Sequence, residues 1–349
     1  MEKLTVAVIL GGLSTEREVS LRTGEQVAAA LRNRGHRVVE IDPADYHLGM
    51  AARGGGRTGG AQEDGRPPAP SSLAGAARFL RSLAEVCVDV AYIALHGAYG
   101  EDGRFQGFLD LLGIPYVGSG VLASALAMDK PMAKLVFASQ GIPVAKGEVL
   151  ERAELEQTDK AALLERVERN LGWPAVIKPA DQGSAVGVTI AHGPEPFWDG
   201  LRKAFRFGQR VLIEEYIPGM ELTVAVVGRR HMRSLPAIEI VPRKTFYDYE
   251  AKYAPGGSEH IIPARLPGEL LQRAAEISIR ACQSLGCRDL ARVDLRVPPS
   301  GEMRVLEVNT LPGMTATSLV PDAARAAGIQ FPDLLEKLLQ MALGQEPEW

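Results

Sequence analysis

Residues 291–309 read ARVDLRVPPSGEMRVLEVN, and this stretch decides the fold of the C-terminal half of the chain. Apolar and polar residues alternate on both sides of a short central segment, which is typical of β-strands with one buried face. The central segment, Pro298-Pro299-Ser300-Gly301, consists of residues that favour tight turns. The stretch therefore predicts an antiparallel hairpin with strands at 291–297 and 303–308.

Polar side chains gather on one face of this predicted hairpin. Arg292, Asp294 and Arg296 alternate along the first strand and therefore share a face. Glu307 and Asn309 alternate in the same way along the second strand. Two carboxylates and one amide oxygen suit Mg²⁺, and a nearby arginine can hold a carboxylate or phosphoryl charge. Ordinary charge pairs on an exposed strand would give the same pattern, but the glycine- and threonine-rich loop that follows favours an anion site beside a metal.

Strands and helices alternate in the N-terminal part of the chain. Apolar, β-branched runs at 4–10, 38–41 and 88–95 are separated by segments with helical or polar spacing, a pattern typical of a parallel α/β sheet. The C-terminal part has consecutive strand-like runs and an amphipathic helix at 270–285, which predicts a mixed α+β half. Residues 53–72 are rich in glycine and proline with almost no large apolar side chains, so we expect a mobile surface insertion.

Composition limits the classes of function. The chain has 349 residues, 46% hydrophobic and 23% charged, which indicates a globular protein of two or three domains. A net charge of −4 argues against a nucleic-acid or anionic membrane surface spread over the whole protein. No apolar run is long enough to span a membrane. Three scattered cysteines suggest free thiols in a reducing compartment, which predicts a cytoplasmic protein.

Two segments in the middle of the chain could bind a nucleotide. Residues 178–187 follow a strand-like run, and they join Lys178 to glycines that let the backbone approach phosphates. A simple β-turn would explain the same residues. The next strand-like run ends in Glu214, Glu215 and Ile217, which could bind an adenine and a ribose. An edge strand with solvated acids is the alternative.

Two glycine-rich segments of the N-terminal part stand at strand ends, where open α/β sheets bind ligands. His96 lies in one of them and could orient a carboxylate, although a histidine at a strand end is often structural. Glu16 lies in the other, next to residues that could cap a helix, and could bind an ammonium group. A polar and aromatic segment at 246–253 predicts an exposed loop or a lid.

The order of these motifs closely resembles the D-alanine–D-alanine ligase family of the ATP-grasp superfamily. The matching stretches run from Val6 to about Phe331 and are GGxSxEREVS, LHG…GEDG…QG, YVGSGVLASALAMDK, KP…GSxVGV, IEEYIPGxExTVAV, FYDYEAKY, ARVDL, LEVNTLPGMT and TSLVP. The resemblance implies an ATP-grasp fold with three domains. These are a parallel α/β domain at 1–118, a central domain at 119–214, and a catalytic domain at 215–349 with a lid loop near 244–258.

The resemblance also implies a reaction and its cofactors. The family joins two D-alanines through an acyl phosphate, in an ATP-dependent and ADP-forming reaction, to make the dipeptide of peptidoglycan precursors. We therefore expect ATP and D-alanine as ligands, with two Mg²⁺ ions that Mn²⁺ could replace. A homodimer is expected, and neither nucleic acid nor a membrane is an expected partner.

Roles follow for the positions that match the family motifs. Asp294, Glu307 and Asn309 would hold the metal ions. The nucleotide would be bound by Lys130, Lys178, Ser184, Glu214, Glu215, Ile217, Glu221 and Lys252. The amino acids would be bound by Glu16, His96, Ser318 and Leu319. Arg292 and the amide of Gly313 would stabilise the tetrahedral intermediate. Glu16, Ser184 and Tyr253 would form a hydrogen-bonded set that ties the lid to the first domain.

Other activities remain open on the sequence alone. A ligase of the same fold could use D-lactate, D-serine or other amino acids. Tyr253 favours the dipeptide, since lactate-forming relatives place a histidine in that loop. An idle nucleotide-binding regulator would lack part of the metal or arginine set, and this chain has all of it. Ala185 stands where the family usually has serine, which predicts weaker ATP binding at most.

Overall fold

A computed structural model describes residues 2–46, 73–183, 186–242, 257–315 and 317–349. Within these residues the chain forms three β-sheets, of four, six and four strands, with helices packed around them. Among the helices described, none combines the length and the apolar character needed to cross a bilayer. The expected insertion at 53–72 lies outside the described residues, as does the expected lid loop up to residue 256.

The N-terminal sheet is parallel, as predicted, with the strand order β2–β1–β3–β4. Its strands are β1 (Thr5–Ile9), β2 (Arg37–Ile41), β3 (Val90–Ile93) and β4 (Tyr116–Val117), and its helices are α1 (Arg17–Asn33), α2 (Leu73–Val86) and α3 (Arg104–Leu112), with a 3₁₀ turn at Pro43–Tyr46. Val6 and Val8 pack with α1, whereas Ala7 and Ile9 pack with α2 and α3. Both faces are covered, which explains the nearly continuous apolar run of β1.

The second sheet is antiparallel, with the order β5–β8–β6–β7. It consists of β5 (Gly147–Glu151), β6 (Ala175–Pro179), β7 (Thr189–Ala191) and β8 (Arg210–Glu215), with α6 (Arg152–Leu155), α7 (Lys160–Asn170) and α8 (Pro194–Ala204). Ile177 and Ile213 face the core formed with Phe197. Because side chains alternate along a strand, Lys178 and Glu214 face the opposite side of the sheet, where a cavity lies.

The third sheet has the order β12–β11–β9–β13–β14, and β10 pairs with β9. Its strands are β9 (Met220–Gly228), β10 (Arg233–Ser234), β11 (Ile238–Pro242), β12 (Ser258–Ile261), β13 (Asp289–Val297) and β14 (Arg304–Asn309). The helices α4 (Val121–Met128), α5 (Lys130–Ser139) and α9 (Gly268–Leu285) pack in the core of this sheet. The resemblance assigns α4 and α5 to the central domain, yet their buried side chains join the core of the third sheet.

Two C-terminal helices connect the third sheet to the first. They are α10 (Leu319–Ala326) and α11 (Phe331–Ala342), and α11 contacts α1, β3 and β4. Leu335 of α11 belongs to the same buried cluster as Val6 of β1 and Val227 of β9. The closing helix predicted at 331–343 is therefore confirmed, and it seals the core that the first and third sheets share.

The hairpin of β13 and β14 is antiparallel, as predicted. Asp294 lies opposite Glu307, and Arg292 lies opposite Asn309. The register shifts between Asp294 and Leu295, so an irregularity follows directly after the carboxylate pair. Such bulges twist a strand and re-aim its side chains.

Candidate active site

Asp294 is held at the centre of the site by two neighbours. Its Oδ1 atom accepts hydrogen bonds from Thr223 Oγ1 at 2.6 Å and from Arg292 Nε at 2.9 Å. Its Oδ2 atom accepts from Arg292 Nη2 at 2.7 Å. The side chain is 11% exposed, so the fork of the arginine and the hydroxyl fix one orientation of the carboxylate.

Glu307 faces a lysine from a different element. Lys130 is the first residue of α5, and its Nζ atom lies 3.2 Å from Glu307 Oε2 and donates to the carbonyl oxygen of Gln182 at 2.6 Å. Its backbone N–H donates to Ala180 O at 3.0 Å. Asp129 caps the helix by accepting from Met132 N, which fixes where α5 begins. The start of α5 thereby brings a positive charge to the hairpin and to the loop that follows β6.

A second carboxylate is held between two buried lysines. Glu214 Oε1 lies 2.5 Å from Lys134 Nζ, and Oε2 lies 2.5 Å from Lys178 Nζ. Burial alone would raise the pKa of Glu214, but the charges of Lys178 and Lys134 outweigh it and lower that pKa. Burial lowers the pKa of Lys134, against the opposing attraction of Glu214. This three-residue cluster carries one excess positive charge when all its groups are ionised.

Two cavities meet at the charged side chains of the hairpin and of α5. The larger has a volume of about 310 Å³ and the smaller about 120 Å³. Lys130, Asp294 and Glu307 line both of them. The two cavities therefore share one charged wall.

The smaller cavity brings together the residues predicted to bind adenosine. Besides the shared wall, its lining includes Lys178, Glu214, Glu215, Ile217 and Glu221. Glu215 Oε1 also accepts a hydrogen bond at 2.9 Å from the backbone N–H of Lys146, the residue directly before β5. The lining is an apolar slot with acids at its end, the kind of surface that binds a flat heterocycle and a sugar.

The larger cavity contains His96, which is 5% exposed. His96 Nδ1 lies 3.2 Å from Glu101 Oε1, and Nε2 lies 3.3 Å from Thr23 Oγ1. Glu101 also lines the cavity. An imidazole fixed at both nitrogens presents its ring to a ligand in one orientation.

Glu16 lies behind the wall of the larger cavity. The described residues that line this cavity do not include Glu16, which is 3% exposed. Gly97 has a φ of 70°, and a Cβ atom there would lie 2.9 Å from Glu16 Oε2. A Cβ atom on Gly183 would lie 3.6 Å from Glu16 Oε1. The carboxylate therefore lies between the loop after β3 and the loop after β6, and glycine is needed at position 97 because a Cβ atom there would crowd it.

The loop after β14 forms another part of the larger cavity, to which Gly313, Ser318 and Leu319 all contribute. Ser318 Oγ accepts from Thr315 N at 3.0 Å and lies 2.8 Å from Thr315 Oγ1. A Cβ atom on Gly313 would lie 3.1 Å from Ser318 Oγ. The loop is therefore folded tightly onto the start of α10, and Gly313 lines the same cavity as Arg292.

The donor set on the hairpin fits a hard divalent cation. Among the residues described, no three His, Cys, Asp or Glu side chains cluster in a way that could hold a metal. The predicted set contains two carboxylates and the amide of Asn309, whose Oδ1 atom already accepts from Leu311 N at 2.9 Å. In proteins, Mg²⁺ prefers one or two carboxylates, and water and phosphate oxygens complete its coordination. The side chains of this set therefore match the ligands that a protein usually supplies to Mg²⁺.

Some predicted positions cannot be placed. Ser184, Lys252 and Tyr253 lie outside the described residues. Conversely, Lys134 and Glu101 take part in the site although the sequence reasoning gave them no role. Lys134 stands four residues after Lys130 on α5, so the two lysines share one helical face, and that spacing was the available signal.

Family models and curated relatives match most of the chain. Residues 5–119 match the family model described as "D-ala D-ala ligase N-terminus", and residues 136–340 match "D-ala D-ala ligase C-terminus". D-alanine–D-alanine ligases of Desulforudis audaxviator and Gloeobacter violaceus are each 45% identical to the chain. Each alignment covers 97% of this chain, and it covers 98% and 100% of the respective relative.

A solved structure gives the same result for the fold. The D-alanine–D-alanine ligase of Bacillus anthracis, in a crystal structure with ATP, has a TM-score of 0.75 at 32% identity and covers 98% of both chains. The ATP-grasp fold expected from the sequence is thereby confirmed. Since both family models and full-length relatives match, the chain belongs to the D-alanine–D-alanine ligase family.

Proposed function

We propose that the protein joins two D-alanines to D-alanyl-D-alanine, in an ATP-dependent reaction that supplies peptidoglycan precursors. Membership of the family supports this function along the whole chain. The observation that carries it is the shared wall of the two cavities, because Asp294, Glu307 and Lys130 stand between the slot that we assign to the nucleotide and the larger cavity. Phosphoryl transfer to a small carboxylate needs this arrangement, with screening charges between donor and acceptor.

The nucleotide would lie in the smaller cavity. Ile217 would pack against the adenine, and Glu214 and Glu215 would stand at its polar edge, with Glu221 at the ribose. Lys178 and Lys130 would neutralise phosphate oxygens. Both lysines are now paired with carboxylates, Lys178 with Glu214 and Lys130 with Glu307, so binding ATP would change their partners.

Asp294, Glu307 and Asn309 would hold two Mg²⁺ ions, or Mn²⁺ in their place. These ions supply electrostatic screening of the phosphates. The chain's own contribution is to fix the ligand side chains, and Thr223 does this for Asp294 through a buried hydrogen bond.

The two amino acids would occupy the larger cavity. The carboxylate of the first D-alanine attacks the γ-phosphorus of ATP, and ADP leaves. The ammonium group of the second loses a proton, and the resulting amine attacks the acyl carbon. A C–N bond forms, the C–O bond to phosphate breaks, and phosphate leaves with a second proton from the nitrogen. His96 would orient the first amino acid, and Ser318 and Leu319 would bind the carboxylate of the second. Loss of one donor to the developing oxyanion typically lowers kcat by roughly 100- to 1,000-fold, and Arg292 with the Gly313 amide would be those donors here.

Four residues have roles that rest on the resemblance. Glu16 would bind the ammonium group of the first D-alanine. Together with Ser184 and Tyr253 it would tie a lid to the first domain, and Lys252 would contact the phosphates. The position of Glu16 between the loops that contain Gly97 and Gly183 agrees with the tying role, since its carboxylate already lies close to residue 183.

The assembly proposed is a homodimer in the cytoplasm. Leu111, Leu122 and Leu135 are 88%, 71% and 63% exposed on α3, α4 and α5, which are neighbouring helices. Large apolar side chains exposed together on a surface indicate a protein interface. The net charge of −4 argues against nucleic acid as a partner, and free cysteines suit a reducing compartment.

One assay tests the function. Purified protein receives Mg-ATP with D-alanine, L-alanine, D-serine or D-lactate, or with D-alanine mixed with either of the last two, and released phosphate and products are measured. D-alanine alone should give phosphate and the dipeptide in equal amounts. Absence of phosphate release with D-alanine would refute the proposal, and preferred incorporation of D-lactate or D-serine would assign a different product.

A matched pair of variants tests the shared wall. Glu307→Gln should abolish turnover while circular dichroism shows a normal fold, because the amide cannot balance a metal's charge. Glu302→Gln, an exposed residue near the turn of the same hairpin, should retain parent activity. Near-normal turnover of Glu307→Gln would mean that the metal assignment is wrong.

A further inference from the structure

A hydrogen-bonded pair of a histidine and a carboxylate lies at the wall of the larger cavity and involves none of the predicted metal ligands. His260 of β12 lines this cavity together with Ser318 and Leu319. Its Nδ1 atom lies 2.8 Å from Oδ2 of Asp322, which belongs to the first turn of α10 and is 8% exposed. A carboxylate can only accept, so Nδ1 carries a proton and donates it in this hydrogen bond.

Asp322 is held from two sides. Its Oδ1 atom contacts Arg325 Nη2 from the same helix, and its Oδ2 atom is bound by His260. The backbone N–H of Asp322 donates to Ser318 O at 3.1 Å, so the carboxylate belongs to the turn that begins at Ser318. His260 Nε2 lies 3.4 Å from Ser258 Oγ on the same strand.

Two negative charges therefore compete for the start of α10. The N-terminus of a helix attracts a negative charge, and Asp322 already supplies one within the first turn. The proposed function places the carboxylate of the second D-alanine at Ser318 and Leu319, at the same helix end. Like charges repel strongly where water is excluded, so a carboxylate of Asp322 turned toward this end would weaken substrate binding.

We propose that His260 is a positioning residue for the second amino acid. By binding Asp322, it keeps that carboxylate at the flank of α10 and leaves the helix N-terminus to the substrate. Arg325 assists, but its side chain is 61% exposed and solvent screens its charge. His260 is the less exposed partner, with 19% of its side chain accessible, and contributes most. This inference rests on the proposed function, because it needs a substrate carboxylate at Ser318 and Leu319.

The test separates the two D-alanine sites. Rates measured over a wide range of D-alanine concentration at saturating Mg-ATP give a KM for each site. Oxygen-isotope scrambling in ATP needs only the first D-alanine and reports that site alone. His260→Ala should raise the KM of the second D-alanine about tenfold, equivalent to about 1.4 kcal/mol, and leave the first KM and the KM of ATP within about twofold. His192→Ala, at an exposed histidine, is the control and should change none of them.

A second substitution distinguishes charge from packing. In His260→Ala combined with Asp322→Asn the competing charge is absent, so the second KM should return to within about threefold of the parent value. Equal rises in both D-alanine KM values, or a double variant no better than His260→Ala, would overturn the inference. Should His260→Ala fail to fold, His260→Leu fills a similar volume without a donor and carries the same expectation.

The parent enzyme provides the reference for both proposals. If the parent makes no dipeptide, the proposed function fails and this inference fails with it. If the parent makes the dipeptide and the second KM is unchanged in the His260 variants, this inference alone is refuted.

Discussion

Replacing Lys134 by methionine tests how the nucleotide side of the site balances its buried charges. Glu214 is 2% exposed and has an ammonium group 2.5 Å from each carboxylate oxygen, Lys134 on one side and Lys178 on the other. The proposed function requires Lys178 to bind ATP phosphates. Lys134 would then be the remaining counter-ion of Glu214. Methionine keeps much of the volume of Lys134 and removes its charge.

The structure predicts a small effect on stability and a large one on nucleotide binding. Without ligand, Lys178 still pairs with Glu214 in the variant, so we expect unfolding to become easier by less than about 2 kcal/mol. With ATP bound, Lys178 leaves and Glu214 is a buried charge without a counter-ion. Such a loss costs about 3–5 kcal/mol, which corresponds to a rise of roughly 100-fold or more in the KM of ATP.

The measurement is steady-state kinetics with ATP varied at saturating D-alanine, combined with urea unfolding of the unliganded protein. Lys160→Met removes a lysine from the exposed surface of α7 and serves as the control, with the KM of ATP unchanged. Adding Glu214→Gln to Lys134→Met removes the carboxylate that would lack a counter-ion. The KM of ATP should therefore be at least about tenfold lower than in Lys134→Met alone.

Two results would contradict this charge balance. A KM of ATP within about threefold of the parent in Lys134→Met would mean that Lys178 does not leave Glu214 when ATP binds. A large loss of stability without ligand would mean that Lys178 alone cannot balance Glu214. In either case the shared-charge account of this cluster would be refuted.

Two further predictions concern acid stability and assembly. Because Lys178 and Lys134 lower the pKa of Glu214 below its ordinary 4.5 in spite of burial, their stabilisation is complete above about 4.5 and is lost as the pH falls through the folded-state pKa. Glu214→Gln should therefore flatten the slope of Tm against pH below about 4.5, and an unchanged slope would contradict the ion pairing. If the apolar surface on α3, α4 and α5 joins two copies, Leu122→Glu should give monomers in light scattering, whereas Val149→Glu, at a partly exposed site on β5, should not. A dimeric Leu122→Glu variant, or a monomeric parent, would refute that interface.

The hairpin could be predicted because its information is local. Alternation fixes which side chains share a face, and the proline- and glycine-containing turn fixes where the chain reverses. The prediction that Asp294 and Glu307 share one face of the hairpin followed from these two features, and the structure places the two residues opposite each other. The register shift after Asp294 had no local signal, because a bulge depends on how the two strands pack against α4, α5 and α9.

Contacts between distant segments could not be predicted in this way. Lys134 reads as one more charge on a helix, and its burial arises only when β6 and β8 bring Lys178 and Glu214 against α5. His260 and Asp322 are 62 residues apart, and neither lies in a motif that carried the resemblance. The packing of α4 and α5 on the third sheet likewise depends on tertiary contacts that periodicity does not encode.

The ion pairs of the site explain how it can hold so many charges in little space. Arg292 with Asp294, Lys130 with Glu307, and Lys178 with Glu214 each neutralise a carboxylate that the proposed function gives to a metal or a nucleotide. If each cation turns to a phosphate or a developing oxyanion while its carboxylate receives a new partner, binding becomes an exchange of ion-pair partners. No buried charge is then left alone, which avoids the penalty of several kcal/mol per uncompensated ion. Lys134 and His260 act in the same way. Lys134 remains as the counter-ion of Glu214 when Lys178 binds ATP, and His260 keeps the carboxylate of Asp322 away from the substrate.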